Sequence, residues 1–192
     1  HAPAGVLGLA GSAAMMAVDA IAPDKGELVL ISGATGGVGG YAVQLVAARG
    51  ATVIATAAPG APAERVRALG ARHTVDHHRD LPTQVRRIAP QGVDAVLHFA
   101  GDPTMLAGLL RRGGRFASTL GVGPGQLDDS KATVTAVNAV PDRALLDRLA
   151  TAVTSGELTV PVTRTYQLHE VPQAFEDFNR PGTVGKLAVA VA

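Results

Sequence analysis

The run Leu28-Val29-Leu30-Ile31-Ser32-Gly33-Ala34-Thr35-Gly36-Gly37-Val38-Gly39 constrains this chain more than any other feature. Consecutive apolar residues suit a strand buried on both faces of a parallel sheet. The glycines that follow suit a sharp turn into a helix. A strand, a glycine-rich turn and a helix start together aim backbone N–H groups at the pyrophosphate of a nucleotide. Gly36 is predicted to let phosphates approach, and Gly39 to let helix pack on strand. Ala34 stands where G-x-G-x-x-G has its first glycine. The ligand-free alternative is a tight strand-to-helix turn. A Walker-type loop fits worse, because Gly40-Tyr41 follows Gly39 where Lys-Ser/Thr is required.

The alternation continues downstream. Residues 12–21 suit a packed helix stopped by Pro23. Residues 27–32 form the first strand, and 37–49 a helix with Val38, Ala42, Leu45 and Val46 on one side, closed by Gly50. Further strands are predicted at 52–56, 73–75, 93–99, 115–120 and 131–137. Helices are predicted at 64–69, 81–89, 103–110 and 141–153, with Asp102-Pro103 as cap and first residue of the third. Strands alternating with helices place the chain in the α/β class, as a doubly wound parallel sheet with helices on both faces. From Glu157 the texture changes to a β-α-β segment: 158–166, 170–178 and 186–191. The expected division is 1–156 as the nucleotide-binding unit and 157–192 as a C-terminal segment.

Composition narrows the function. Hydrophobic residues make up 47% and aromatic residues 3%, so the core is built from Ala, Val and Leu, and stacking platforms for nucleic acid are scarce. A net charge of +1 gives no overall attraction to nucleic acid or to an anionic membrane. With no cysteine, disulfides, thiolate catalysis and Cys-based zinc sites are excluded. No apolar run approaches the roughly 18 residues of a membrane span, and no basic segment precedes an apolar one at the start. The expected location is cytoplasmic.

Nicotinamide dinucleotide sites that take NAD usually carry Asp or Glu about 20 residues beyond the turn, to bind the ribose 2′-OH. No acidic residue lies between Thr52 and Ala63, and Arg65 and Arg67 follow. This favours NADP over NAD, although either arginine alone reads equally well as a solvated helix face. His73, His77 and His78 are close in sequence but lack the ligand set of a zinc site, so exposed loop histidines are expected. His98 is expected to be a satisfied core histidine, Tyr41 to pack under the helix, and Asp102 to cap. No Tyr-x-x-x-Lys occurs, which counts against the short-chain dehydrogenases. No residue is assigned as a catalytic acid.

Several stretches together resemble the medium-chain dehydrogenase/reductase superfamily, in its zinc-free quinone oxidoreductase-like branch. They are the turn 33–39, Ala42-Val43-Gln44-Leu45, 49–56, Leu69-Gly70-Ala71, 92–97, 112–116, Tyr166-Gln167-Leu168 and Gly185-Lys186-Leu187-Ala188-Val189. The resemblance implies a Rossmann domain that binds NADPH and passes hydride to a quinone, an enone or a related carbonyl compound. It also implies an N-terminal GroES-like domain that forms most of the substrate cleft and receives the 157–192 segment, so that this chain alone turns over little. Carried over by motif, Ala34, Thr35, Gly36, Gly37 and Val38 face the pyrophosphate. Thr56, Ala57 and Ala58 lie near the adenosine ribose; Arg65, from the reading of the residues above, joins them as a source of positive charge. Phe99, Ala100, Gly101, Thr119, Leu120 and Gly121 run beside the nicotinamide half, and Lys186 comes near the cofactor.

Three departures stand out. Pro62 and His77 occupy positions where the family often has the Lys and Tyr of a 2′-phosphate site, which leaves NAD(H) as the alternative cofactor. Ala13 replaces a frequent Thr, and 122–131 is short. The rival reading is a non-catalytic nucleotide-binding or assembly module, whose unpartnered 158–191 segment leaves an apolar surface open to homodimerisation.

Overall fold

The computed structural model describes residues 2–127, 132–180 and 183–190. Its main sheet has six strands: β1 (Leu28–Ser32), β2 (Thr52–Thr56), β3 (His73–Val75), β4 (Val93–His98), β5 (Leu110–Ser118) and β6 (Ala132–Ala136). All neighbours are parallel, in the order β3-β2-β1-β4-β5-β6. Because consecutive side chains of a strand point to opposite faces, each strand feeds two cores. Val29, Ile31, Val53, Ala55, Ala95, Leu97 and Ala117 pack on one face with α1 (Ala2–Ile21), α2 (Gly39–Ala48), α3 (Ala61–Ala68) and α6 (Arg143–Thr154). Leu30, Ile54, Val96, Phe116 and Val134 pack on the other with α4 (Leu81–Ile88) and α5 (Pro103–Ala107). This is a doubly wound Rossmann sheet. The strand order reverses at β1, so a crevice opens above the carboxyl ends of β1 and β4.

A second, two-stranded parallel sheet pairs β7 (Val162–Gln167) with β8 (Lys186–Ala190), joined by α7 (Val171–Asn179). No helix among the described residues is long and apolar enough to cross a membrane.

Several boundaries differ from the sequence reading. α1 begins at Ala2 rather than near residue 12. Gly5, Gly8 and Gly11 lower helix propensity locally, but Gly11 lets α1 approach Leu149 of α6, whose Cδ atoms would lie 3.3 Å from a Cβ there. Pro62 falls in the first turn of α3, where its missing N–H costs nothing, so that helix starts earlier than predicted. α5 stops at Ala107 rather than 110, because Leu109 O is taken by Val93 N at 2.9 Å and Leu110 is drawn into β5. Lys131 and Val191, the outer ends of two predicted strands, lie outside the described residues.

Ion pairs fasten the helical layer. Asp19 of α1 meets Arg49, which follows α2, and Arg148 of α6, whose Nη1 is 3.0 Å away. Burial alone would raise the Asp19 pKa, but hydrogen bonds and attraction from Arg148 and Arg49 outweigh it and hold the carboxyl below its ordinary value. A depressed folded-state pKa contributes stability above the unfolded value, about 3.9 for Asp, and that stability is lost as pH falls through the folded value. Asp19→Asn should therefore lower the urea midpoint at pH 7, and the gap from wild type should close as pH falls from about 5 towards 2. A gap independent of pH would contradict this account.

Candidate functional site

The turn between β1 and α2 is shaped from several sides. Gly33 adopts φ +81°, a conformation that disfavours any side chain. Its N–H donates to Thr56 Oγ1 at 2.9 Å, and Thr56 in turn donates to Ile31 O at 3.3 Å. Gly36 N bonds Gly33 O at 3.0 Å. A Cβ on Gly39 would lie 2.6 Å from Ala34 Cα, so only glycine lets α2 start this close to the turn.

The start of α2 has no side-chain cap. Among the described residues the N–H groups of Gly37, Val38 and Gly39 have no backbone acceptor. Unsatisfied N–H groups and the positive end of the helix dipole converge there, which is the chemistry that accepts an anion.

The C-terminal segment closes over this turn. Gly185 N donates to Thr35 O at 2.8 Å, and Gly36 and Gly185 form a parallel bridge. The stem of Lys186 crosses Gly37 so closely that a Cβ on Gly37 would lie 2.6 Å from Lys186 Cδ. Lys186 has no ion-pair partner among the described residues. A cation therefore lies next to the uncapped helix start.

The remaining predicted residues fall at the carboxyl ends of the strands. Ala34, Thr56 and Ala57 are buried, and Ala58 is half-buried beside them. Phe99, Ala100 and Gly101 follow β4, while Thr119, Leu120 and Gly121 follow β5. Ser32 Oγ donates to Ala100 O at 2.7 Å. His98 and Ser118, buried under these two loops, bond each other, Nδ1 to Oγ, at 2.9 Å.

Beyond β2, Ala57, Pro59, Gly60, Ala63, Arg67, Thr74, Asp76, Arg79 and Gln84 enclose a cleft of about 350 Å³. Arg67 Nη2 donates to Thr74 Oγ1 at 2.5 Å, and Arg79 pairs with Asp76 at 3.4 Å. Arg65 is not part of this cleft. Its Nη2 lies 3.2 Å from a Cβ built on Gly185, on the side of the β7–β8 sheet. The sequence reading missed Arg79, which only the return of the chain after β3 brings beside Arg67. A larger groove of about 460 Å³, between α1, α2 and α6, lies on the helical layer, away from the strand ends.

Asp76, His77 and His78 place their ligand atoms within 4.8 Å of one another, but both histidines are exposed and Asp76 is engaged by Arg79 and by His78 N. Tyr41 is fully buried, and burial pushes its hydroxyl up to about 12. Asp102 caps α5, accepting from Thr104 N at 2.7 Å and Met105 N at 3.0 Å.

A model of the zinc-binding dehydrogenase family matches residues 69–189, more than half of the chain. The phthioceranic/hydroxyphthioceranic acid synthase of Mycobacterium tuberculosis is 31% identical over 185 residues, covering 86% of this chain and 9% of that protein. Among solved structures, the quinone oxidoreductase of Coxiella burnetii is 26% identical with TM-score 0.83, covering 95% of this chain and 58% of that one. The CurK enoyl reductase is 25% identical with TM-score 0.84, covering 99% and 62%. The chain thus spans about a tenth of the synthase and about three-fifths of the two solved proteins.

The glycine geometry can be tested by stability. Gly39→Ala should lower unfolding free energy by about 1–3 kcal/mol through overpacking. Gly36→Ala should cost clearly less, since its Cβ would meet only Gly33 O at 3.3 Å. Equal losses in urea unfolding would refute the close-approach account.

Proposed function

The chain belongs to the zinc-binding dehydrogenase family, and from that premise we propose that it is the dinucleotide-binding part of an NADPH-dependent oxidoreductase of the zinc-free, quinone- or enoyl-reductase type. The observation that carries the reading is the uncapped start of α2 beneath Lys186. Gly37, Val38 and Gly39 offer free N–H groups there, and the absence of a side chain at Gly37 lets the Lys186 stem lie directly across the helix start. When bound, the reduced nicotinamide supplies a hydride to a carbonyl or a conjugated double bond. This chain's share is to grip the diphosphate by Gly37, Val38 and Lys186. The loops 99–101 and 119–121 orient the nicotinamide half.

Preference for the 2′-phosphate is assigned to the cleft beyond β2. It has no carboxylate at the end of β2, and Arg67 and Arg79 line it. Asp76 shares the cleft, yet its oxygens are occupied by Arg79 and His78 N. The Asp76-His77-His78 cluster sits beyond β3 and not by the loops after β4 and β5, which supports the zinc-free reading. Residues 157–192 are read as the segment that docks on a GroES-like domain. In that reading Phe175 and Phe178 of α7, 67% and 65% exposed, are its contact face.

Calorimetric titration should show NADPH binding more tightly than NADH. Replacing Arg67 and Arg79 together with Ala should weaken NADPH by about tenfold or more and leave NADH nearly unchanged. Lys186→Ala should weaken both, and Gly36→Val should abolish both. Failure of wild type to bind either nucleotide would overturn the proposal.

A further inference from the structure

β4 ends in a buried histidine that the proposed hydride chemistry does not use. His98 is 2% exposed and lies tilted against Phe116, with ring centroids 5.5 Å apart. Both ring nitrogens are engaged: Nδ1 is 2.9 Å from Ser118 Oγ, and Nε2 is 3.1 Å from Gly101 O. A carbonyl oxygen can only accept, so Nε2 must carry a proton and donate. In the neutral ring Nδ1 is then an acceptor, and the Ser118 hydroxyl donates to it. Ser118 Oγ itself accepts from Leu120 N at 3.0 Å.

The donor order is therefore fixed along the whole relay. Leu120 N–H donates to Ser118, Ser118 to His98, and His98 to Gly101. Every group in it is satisfied, and only one tautomer satisfies them all. The relay starts in the loop after β5 and ends in the loop after β4. The β4 loop borders the crevice where the strand order reverses, and the β5 loop lies next to it on the side away from β1. Ser32 Oγ, donating to Ala100 O at 2.7 Å, ties the same β4 loop back to β1.

We infer that His98 is a positioning residue: its neutral Nε2–H tautomer, acting through Ser118, sets the spacing of loops 99–101 and 119–121 and so the fit of the nicotinamide half of the cofactor. The inference rests on the proposed dinucleotide reading and deepens it. A histidine that merely filled the core would affect stability and would affect every ligand alike. A positioning histidine acts on the nicotinamide half and spares the adenosine half, which binds beyond β2.

The test compares NADPH with 2′,5′-ADP, which lacks the nicotinamide half, by calorimetry. NADH and ADP replace them if the unphosphorylated form binds more tightly. His98→Phe and Ser118→Ala should each weaken the dinucleotide about tenfold, the scale of a lost buried hydrogen bond, and change the adenosine half-ligand less than about twofold. His98→Gln, which keeps an amide donor and a carbonyl acceptor, should recover part of the loss. Nitrogen-15 NMR of the wild-type imidazole should show Nε2 protonated and Nδ1 bare. Equal losses for both ligands, no loss for either, or a proton on Nδ1 would overturn the inference. Should His98→Phe not fold, Ser118→Ala decides the binding arm. Wild type that binds neither ligand defeats the cofactor reading itself, and this inference with it, and is told apart from the other failures by the absence of half-ligand binding.

Discussion

The contact between Gly39 and Ala34 governs much of this molecule. With no side chain at 39, α2 can begin directly against the turn that leaves β1. That closeness puts the start of α2 beside the turn, where the N–H groups of Gly37, Val38 and Gly39 have no backbone acceptor. A Cβ would push the helix away and break the alignment of Gly33 with Thr56, which holds the turn from the neighbouring strand. The same small residue thus serves packing and, in the proposed reading, recognition. The fold requires the close approach, and the anion-accepting helix start follows from it.

The C-terminal segment does more than follow the sheet. Its bridge from Gly185 to Gly36, and the bond from Gly185 N to Thr35 O, attach the β7–β8 sheet to the turn. Gly185 has φ +72°, and a Cβ there would meet Pro161 O at 2.7 Å, so the position again requires glycine. With the backbone held there, the next residue, Lys186, falls over Gly37. A lysine more than a hundred residues distant in sequence becomes part of the turn's electrostatics through a backbone constraint. Its charge and the helix dipole act together where both are only partly screened by solvent.

The parallel sheet and the helices on both its faces were legible from the sequence because two periodicities agree. Val29, Leu30 and Ile31 are all apolar, as a strand covered on both faces demands, and α4 between strands buries a single stripe through Leu81 and Val85. Boundaries were less legible wherever tertiary contacts override local propensity. α1 runs through three glycines while it packs on α2 and α6, Gly11 allowing the approach of Leu149, and β5 reaches back to Leu110 because β4 captures the backbone there. The candidate site divides in the same way. The turn at 33–39 is contiguous in sequence and could be read directly. The Arg67–Arg79 pairing was hidden, since helix spacing alone cannot tell which way Arg65 and Arg67 point and only β3 brings Arg79 back. The His98–Ser118 bond was hidden as well, because it joins two strands through a parallel pairing whose register no local pattern specifies.

The crevice also limits which chemistry this chain can perform by itself. Hydride delivery to a carbonyl leaves an oxyanion that needs a proton or a strong donor. Among the described residues, the buried polar side chains around loops 99–101 and 119–121 are Ser32, His98 and Ser118, and each is committed to a backbone group or to another of the three. His98 donates its single proton to Gly101 O, so releasing it to a substrate would leave that carbonyl unpaired and unlatch the loop. Asp102 is turned to the start of α5 by its capping bonds. Tyr41, two residues beyond the turn, is fully buried, and its hydroxyl donates to Val6 O. In the proposed reaction these groups therefore orient the cofactor, and the proton must come from solvent or from a group other than these.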